Sequence, residues 1–180
     1  MIYKIHNLET HEMLPFGDTG ITQQTFSISA SFGKRVYIGI DPGQVHMGVA
    51  TLKFGGASIF EVTFPSGQDT VERILSTSGL LDYIFSMSIP SDAESFACVE
   101  QAAYGAPYGQ ASLAESRTTA IIAVLGRNIV PVVVPPIRIR KSVFDNGKQR
   151  AEEYNEWKKL KPNAASALAC ALYALRTQNG

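Results

Sequence analysis

Apolar and polar positions along the chain fall into short, strongly patterned blocks, and the sharpest is VYIGIDPGQVHMGVATL, Val36 to Leu52. Its first half is an apolar run with β-branched residues, which reads as a buried strand, and it ends on the carboxylate of Asp41 before the turn pair Pro42 and Gly43. A second apolar run, Met47 to Phe54, follows at once and predicts a hairpin with Asp41 at its mouth. An acid at the end of a buried strand is costly unless opposite charge meets it. The position therefore suits a divalent cation, or the phosphates that a cation escorts.

Taken in order, the other blocks build an α/β pattern. Met1 to Arg35 is rich in Gly, Thr, Ser and Gln, with some alternation in ITQQTFSIS, and reads as an N-terminal extension, a loose hairpin or arm, ahead of a main domain at 36–180. ASIFEVTF, Ala57 to Phe64, predicts a third strand and so an antiparallel meander. Gln68 to Met87 carries apolar residues at helical spacing, with Gly79 as a flaw or break inside it. FACVE, Phe96 to Glu100, is a further buried strand, and it too ends on a carboxylate. Strand, helix, strand predicts a crossover that lays this strand parallel in the sheet. A helix over Ser112 to Asn128, a strand over Ile129 to Val134 closed by Pro135 and Pro136, and an alanine-rich helix over Ala164 to Arg176 complete the order βββαβαβα, which predicts a mixed five-stranded sheet flanked by helices.

Composition narrows the class. The chain has 180 residues, 45% of them apolar and 18% charged, which suits one globular core. A formal net charge of zero gives no whole-chain argument for a polyanionic partner. Distribution says more: eight basic residues against four acids lie between Arg138 and Lys161, a local excess of +4. Cys98 and Cys170 sit apart among small and apolar neighbours, as buried reduced thiols do, which favours an intracellular protein. The sequence shows neither a membrane-spanning stretch nor a signal-peptide pattern, and His6 and His11 lack a partner at metal-binding spacing.

These residues carry a resemblance. IGIDPGQVHMGVA, Ile38 to Ala50, resembles the first motif of the RuvC-type Holliday junction resolvases of the ribonuclease H-like superfamily, where a strand-end aspartate binds catalytic metal. VEQ, Val99 to Gln101, is similar to the second motif, and KPNAASALACALYAL, Lys161 to Leu175, to the final helix, usually Asp-x-x-Asp-Ala-x-Ala. ESRTTAIIAVL and RIRKSVFDNGK match in character, so the resemblance runs from Val36 to Arg176. It implies a ribonuclease H-like fold and a Mg²⁺-dependent endonuclease, with Mn²⁺ as a substitute, that cuts branched or four-way DNA through metal-activated water. Asp41 and Glu100 are the implied metal ligands, and a homodimer is expected because a four-way junction has two equivalent strands to cut.

The chain departs from the pattern where the final helix carries its acids. Asn163 and Ser166 stand there, an i, i+3 pair on one helical face, and neither is anionic. Two-metal cleavage needs several carboxylates around cations about 4 Å apart. Three accounts stay open: cleavage lost with DNA binding retained, a relaxed site drawing on Asp145, Glu152, Glu156 or His46, or substitutions introduced into the chain. For DNA contact the candidates are Tyr104 and Tyr108, as stacking surfaces in the glycine-rich loop after Glu100, and Arg138, Arg140, Lys141 and Lys148, as phosphate ligands. Each has a structural alternative: Asp41 as a turn former, Asn163 as a helix cap, the tyrosines as loop packing, the basic run as a solvated face. Two other functional readings are a catalytically silent branched-DNA-binding protein and an actin-like ATPase fragment; the second lacks the further phosphate loop that such a fold needs.

Overall fold

A computed structural model describes residues 6–16, 19–27, 33–101, 110–154 and 157–178. Its centre is the hairpin of β3 (Arg35–Asp41) and β4 (His46–Lys53), continued by β5 (Gly56–Thr63) as an antiparallel meander. Next comes α1 (Thr70–Ser88), which runs unbroken through Gly79 and starts at a capping box between Asp69 and Glu72. Its apolar face, Leu80, Leu81, Ile84 and Phe85, is fully buried. The chain then enters β6 (Glu94–Glu100), parallel to β3 with Ile40 opposite Val99, so the expected crossover is present.

The sheet has seven strands rather than five. β1 (His6–Phe16) and β2 (Thr19–Ser27) form a hairpin, and β2 pairs antiparallel with β5 along its length, from Gly20 opposite Thr63 to Ser27 opposite Gly56. The physical reason is the free edge of β5, whose N–H and C=O groups are satisfied when ITQQTFS aligns on them, with Ile21 and Phe26 buried. At the other end α2 (Gln110–Leu125) leads to β7, confined to Val132–Val134 because Pro131 has no donor for the ladder. The strand order is β1-β2-β5-β4-β3-β6-β7.

Side chains alternate between two cores. Val36, Ile38 and Ile40 of β3 pack with Val49, Phe60 and the apolar faces of α1 and α2. Tyr37, Ala50, Leu52, Ile59 and Cys98 face the opposite way, under α4 (Pro162–Gln178). One helix was not legible in the pattern: α3 (Pro136–Phe144), which begins with Pro136 at its first turn and buries Ile139, Val143 and Phe144 beneath its arginines. Phe144 stacks on Tyr154 at 4.0 Å and meets the Trp157 ring edge-on at 5.0 Å, which anchors the return segment, including a 3₁₀ turn at Ala151–Glu153, against α4.

Two glycines set how closely α4 lies on the sheet. A Cβ on Gly39 would come within 2.0 Å of the Ala167 carbonyl oxygen, and one on Gly48 within 2.0 Å of the Asn163 carbonyl oxygen. The alanines of α4 complete this approach, since larger side chains would hold the helix off. Its first turn therefore rests directly on the β3–β4 ladder, at the sheet end where Asp41 stands.

Candidate functional site

Period-two alternation aims every odd residue of β3 and β5, and the even residues of β4 and β6, at α4. Asp41 thus continues the row of Tyr37 and Gly39, Glu100 follows Cys98, and Glu61 follows Ile59. Ile40 and Val99 are register partners on adjacent parallel strands, so the Asp41 and Glu100 backbones lie next to one another at about one strand spacing, roughly 5 Å.

Helix α4 brings its first turns over these acids. The Ser166 hydroxyl donates to the Asp41 carboxylate. Asn163 donates through Nδ2 to Glu61 Oε1 at 3.4 Å, and the Ala164 backbone N–H donates to Glu61 Oε2 at 3.1 Å. Glu61 therefore caps the helix from a strand, satisfying a first-turn donor that otherwise lacks a partner. Cys170, one turn below Ser166, directs its thiol at Glu100 Oε2, with sulfur and oxygen 3.9 Å apart.

The carboxylates sit in different fields. Loss of water pushes the Asp41 carboxyl up to about 7, against the Ser166 hydrogen bond and with help from the charges of Glu61 and Glu152. Glu100 goes up to about 8, first by loss of water and then by the Asp41 charge, with Arg140 pulling the other way. Burial also raises Glu61, but Lys161, Asn163, the Ala164 N–H and His46 all oppose the shift.

A cleft of about 210 Å³ opens beside this cluster, lined among others by Glu100, Arg140, Arg150, Glu152, Asn163 and Ser166. Glu100, Asn163, Ser166 and Arg140 thus meet at one sheet end, with Asp41 bound to Ser166. Arg138, Lys141 and Lys148 are exposed and do not line the cleft. Tyr104 and Tyr108 lie outside the described residues. His46 is exposed beside the cluster, with Nδ1 3.1 Å from Thr63 Oγ1. The sequence reading missed Glu61 at this end, although a charged residue inside a strand apolar on both faces was its available signal. Arg150 it counted only as part of a basic run, because nothing local shows that Trp157 and Phe144 fold that run back onto α4.

Among the described residues no three His, Cys, Asp or Glu side chains lie close enough together to hold a metal ion. No helix among them is long and apolar enough to cross a membrane.

The fold is that of solved RuvC structures. Thermus thermophilus RuvC in complex with a Holliday junction substrate aligns with a TM-score of 0.60 at 16% identity, over 81% of this chain and 96% of that one. A further Thermus thermophilus RuvC structure aligns with a TM-score of 0.58 at 17% identity, over 80% and 97%. No protein-family model and no curated protein sequence matches the chain. The likeness establishes a ribonuclease H-like fold of RuvC type.

Proposed function

We propose that the protein binds branched DNA, four-way junctions foremost, across the sheet end that carries Asp41 and Glu100, and that these acids hold one Mg²⁺, or Mn²⁺ in its place, and support slow nicking. The observation that carries this reading is the pairing of Asp41 and Glu100 under the first turns of α4, with Glu100 and the Asp41 partner Ser166 lining a cleft that also contains two guanidinium groups, Arg140 and Arg150.

The donor set suits one hard cation and not a pair. Two desolvated carboxylates, with Glu100 held back further by the Asp41 charge, gain when a divalent ion joins them, and Asn163 and Ser166 add only neutral oxygens. Among the described residues no third acid joins Asp41 and Glu100 in a group compact enough to hold a metal, although Glu152 lines the same cleft. Bound Mg²⁺ would supply an activated water and a counter-charge for the phosphodiester. The chain's own residues do the rest. Arg140 offsets the charge of Glu100 from the wall of the cleft. With Arg150 it offers planar donors to a phosphate, while Arg138, Lys141 and Lys148, exposed on α3 and beyond, continue a basic path for the backbone. Tyr104 and Tyr108 keep the role of stacking surfaces for bases opened at the branch. Two equivalent strands call for two equivalent sites, hence a homodimer, and an intracellular setting fits both DNA and the free buried thiols.

A second reading, a catalytically silent junction-binding protein, is favoured by a specific feature: the polar groups of α4 are engaged with Asp41 and Glu61 as hydrogen-bond donors. One experiment separates them. A synthetic four-way junction is incubated with the protein in Mg²⁺ or Mn²⁺ and in EDTA. Slow symmetric nicking that Asp41→Asn abolishes supports the enzyme; binding in EDTA with no product in either metal leaves the silent reading; no preference for junction over linear duplex sinks both.

A further inference from the structure

Glu61 is too costly a residue for a simple cap. A serine or aspartate at the helix start would satisfy the Ala164 N–H without burying a glutamate that is only 7% exposed in the middle of a sheet. Its second oxygen, however, meets the side-chain nitrogen of Asn163. We propose that Glu61 is a positioning residue that sets the orientation of the Asn163 amide, so that the Asn163 side-chain carbonyl oxygen faces Asp41 and Glu100 as a third hard oxygen for the cation.

The argument follows from the amide itself. Asn163 carries one face that only donates and one that only accepts, and the two cannot be exchanged without turning the group over. An ionised carboxylate accepts only, so it takes Nδ2 and repels Oδ1. Two donors, Asn163 Nδ2 and the Ala164 N–H, converge on the two oxygens of Glu61, one on each. Strand order supplies the direction: β5 lies on one side of the β4–β3 pair and β6 on the other, so an amide with its nitrogen held toward β5 turns its oxygen toward β3 and the cleft that Asn163 lines. The backbone cannot shift to undo this, because the Asn163 carbonyl is seated on Gly48 with no room for even a methyl group. Without Glu61, the amide could present its NH₂ group to the cleft, which no cation would accept. This inference rests on the single-cation reading and deepens it.

Glu61→Gln tests it with little change of shape. The glutamine Oε1 still accepts from Ala164, while Nε2 puts a donor opposite Asn163 and inverts its amide. Mn²⁺ affinity, followed by the paramagnetic resonance of free Mn²⁺, and the Tm shift with Mg²⁺ are the readouts. Affinity is expected to weaken about tenfold, as changes behind a metal ligand commonly do. In an Asn163→Asp background both oxygens of residue 163 are equivalent, so Glu61→Gln should no longer weaken binding. Unchanged affinity in the first background, or equal weakening in both, would overturn the proposal. Should Glu61→Gln fail to fold, the wild-type side chain decides: the Asn163 NH₂ signals, identified by their loss in Asn163→Asp, are expected to exchange slowly with solvent, and rapid exchange overturns the idea. Junction binding in EDTA is measured alongside. Its absence would remove the DNA reading while leaving the Mn²⁺ comparison intact, whereas wild-type protein without Asp41-dependent Mn²⁺ binding would overturn the Glu61 role and leave DNA binding standing.

Discussion

Three carboxylates stand under the same helix, yet the two on β3 and β6 are treated differently from the one on β5. Around Glu61 the fold supplies a backbone N–H, a side-chain amide, the Lys161 charge and the nearby His46 ring. Around Asp41 it supplies one hydroxyl, and around Glu100 one distant thiol and one arginine, while the acids repel each other. The fold gives the buried glutamate on β5 a donor for each oxygen, whereas Asp41 and Glu100, on β3 and β6, are pushed much further from their ordinary ionisation. Uncompensated carboxylates at strand ends beside an open cleft are costly, and such cost is retained where a ligand supplies the missing charge.

The largest effect should come from breaking the geometry that all three acids share. Gly39→Ala places a methyl group where the Ala167 carbonyl oxygen already is, so α4 must lift from β3. Overpacking of this kind costs about 3 kcal/mol or more, a fall in Tm of roughly 10 °C, read by thermal denaturation. An unchanged Tm would mean that α4 does not rest on β3.

Next comes pH, which acts on the Asp41 and Glu100 side of the contrast. Their folded pKa values, about 7 and about 8, lie above the ordinary values of 3.8 and 4.5, so the neutral forms favour the fold. Their contribution is fully present below pH 4 and is lost as pH rises through 8. In EDTA the protein should be more stable at pH 5 than at pH 8 by several kcal/mol, at most about 6, and Mg²⁺ should shrink the difference. A flat profile in the absence of metal would contradict the account of the site.

Third, truncation should change sign across the sheet. Glu61→Ala leaves the Ala164 N–H and the Asn163 amide unsatisfied and is expected to cost about 1 to 2 kcal/mol. Asp41→Asn at pH 8 in EDTA removes a repelled charge and should raise Tm. If both variants lose stability equally, the contrast between the two regions fails.

The smallest effect is expected from Arg140→Ala. It takes one guanidinium from the cleft, so junction affinity should fall several-fold and the logarithmic salt slope should drop by about one. Lys148→Ala is a useful companion, because it removes a charge exposed on the same basic path without disturbing Glu100.

How much of this was legible in the chain differs by element. Asp41 and Glu100 were readable because each interrupts an apolar run at a strand end, a local signal that survives without neighbours. Asn163 and Ser166 were readable only through the resemblance of the final helix, with their i, i+3 spacing putting both on one face. Glu61 was not, since its meaning comes from α4, 102 and 103 residues further on. The N-terminal hairpin was readable as a loose hairpin or arm, but its place in the main sheet was not: ITQQTFS is weakly alternating, and only the unpaired edge of β5 draws it into the same sheet. α3 was masked by its charges, which advertise a surface while Ile139 and Val143 beneath them pack into the core.

By itself, the order of residues determined a mixed α/β fold, the strand ends that carry Asp41 and Glu100, and an alanine-rich last helix, because period two, period 3.6 and a lone charge in an apolar run are short-range properties. The tertiary structure alone decided the width of the sheet, the return of the basic segment to the cleft, and the pairing of each sheet acid with its own group on α4. Those outcomes depend on which distant backbone edge is free and how near a helix can come to a glycine, and no stretch of sequence contains both partners.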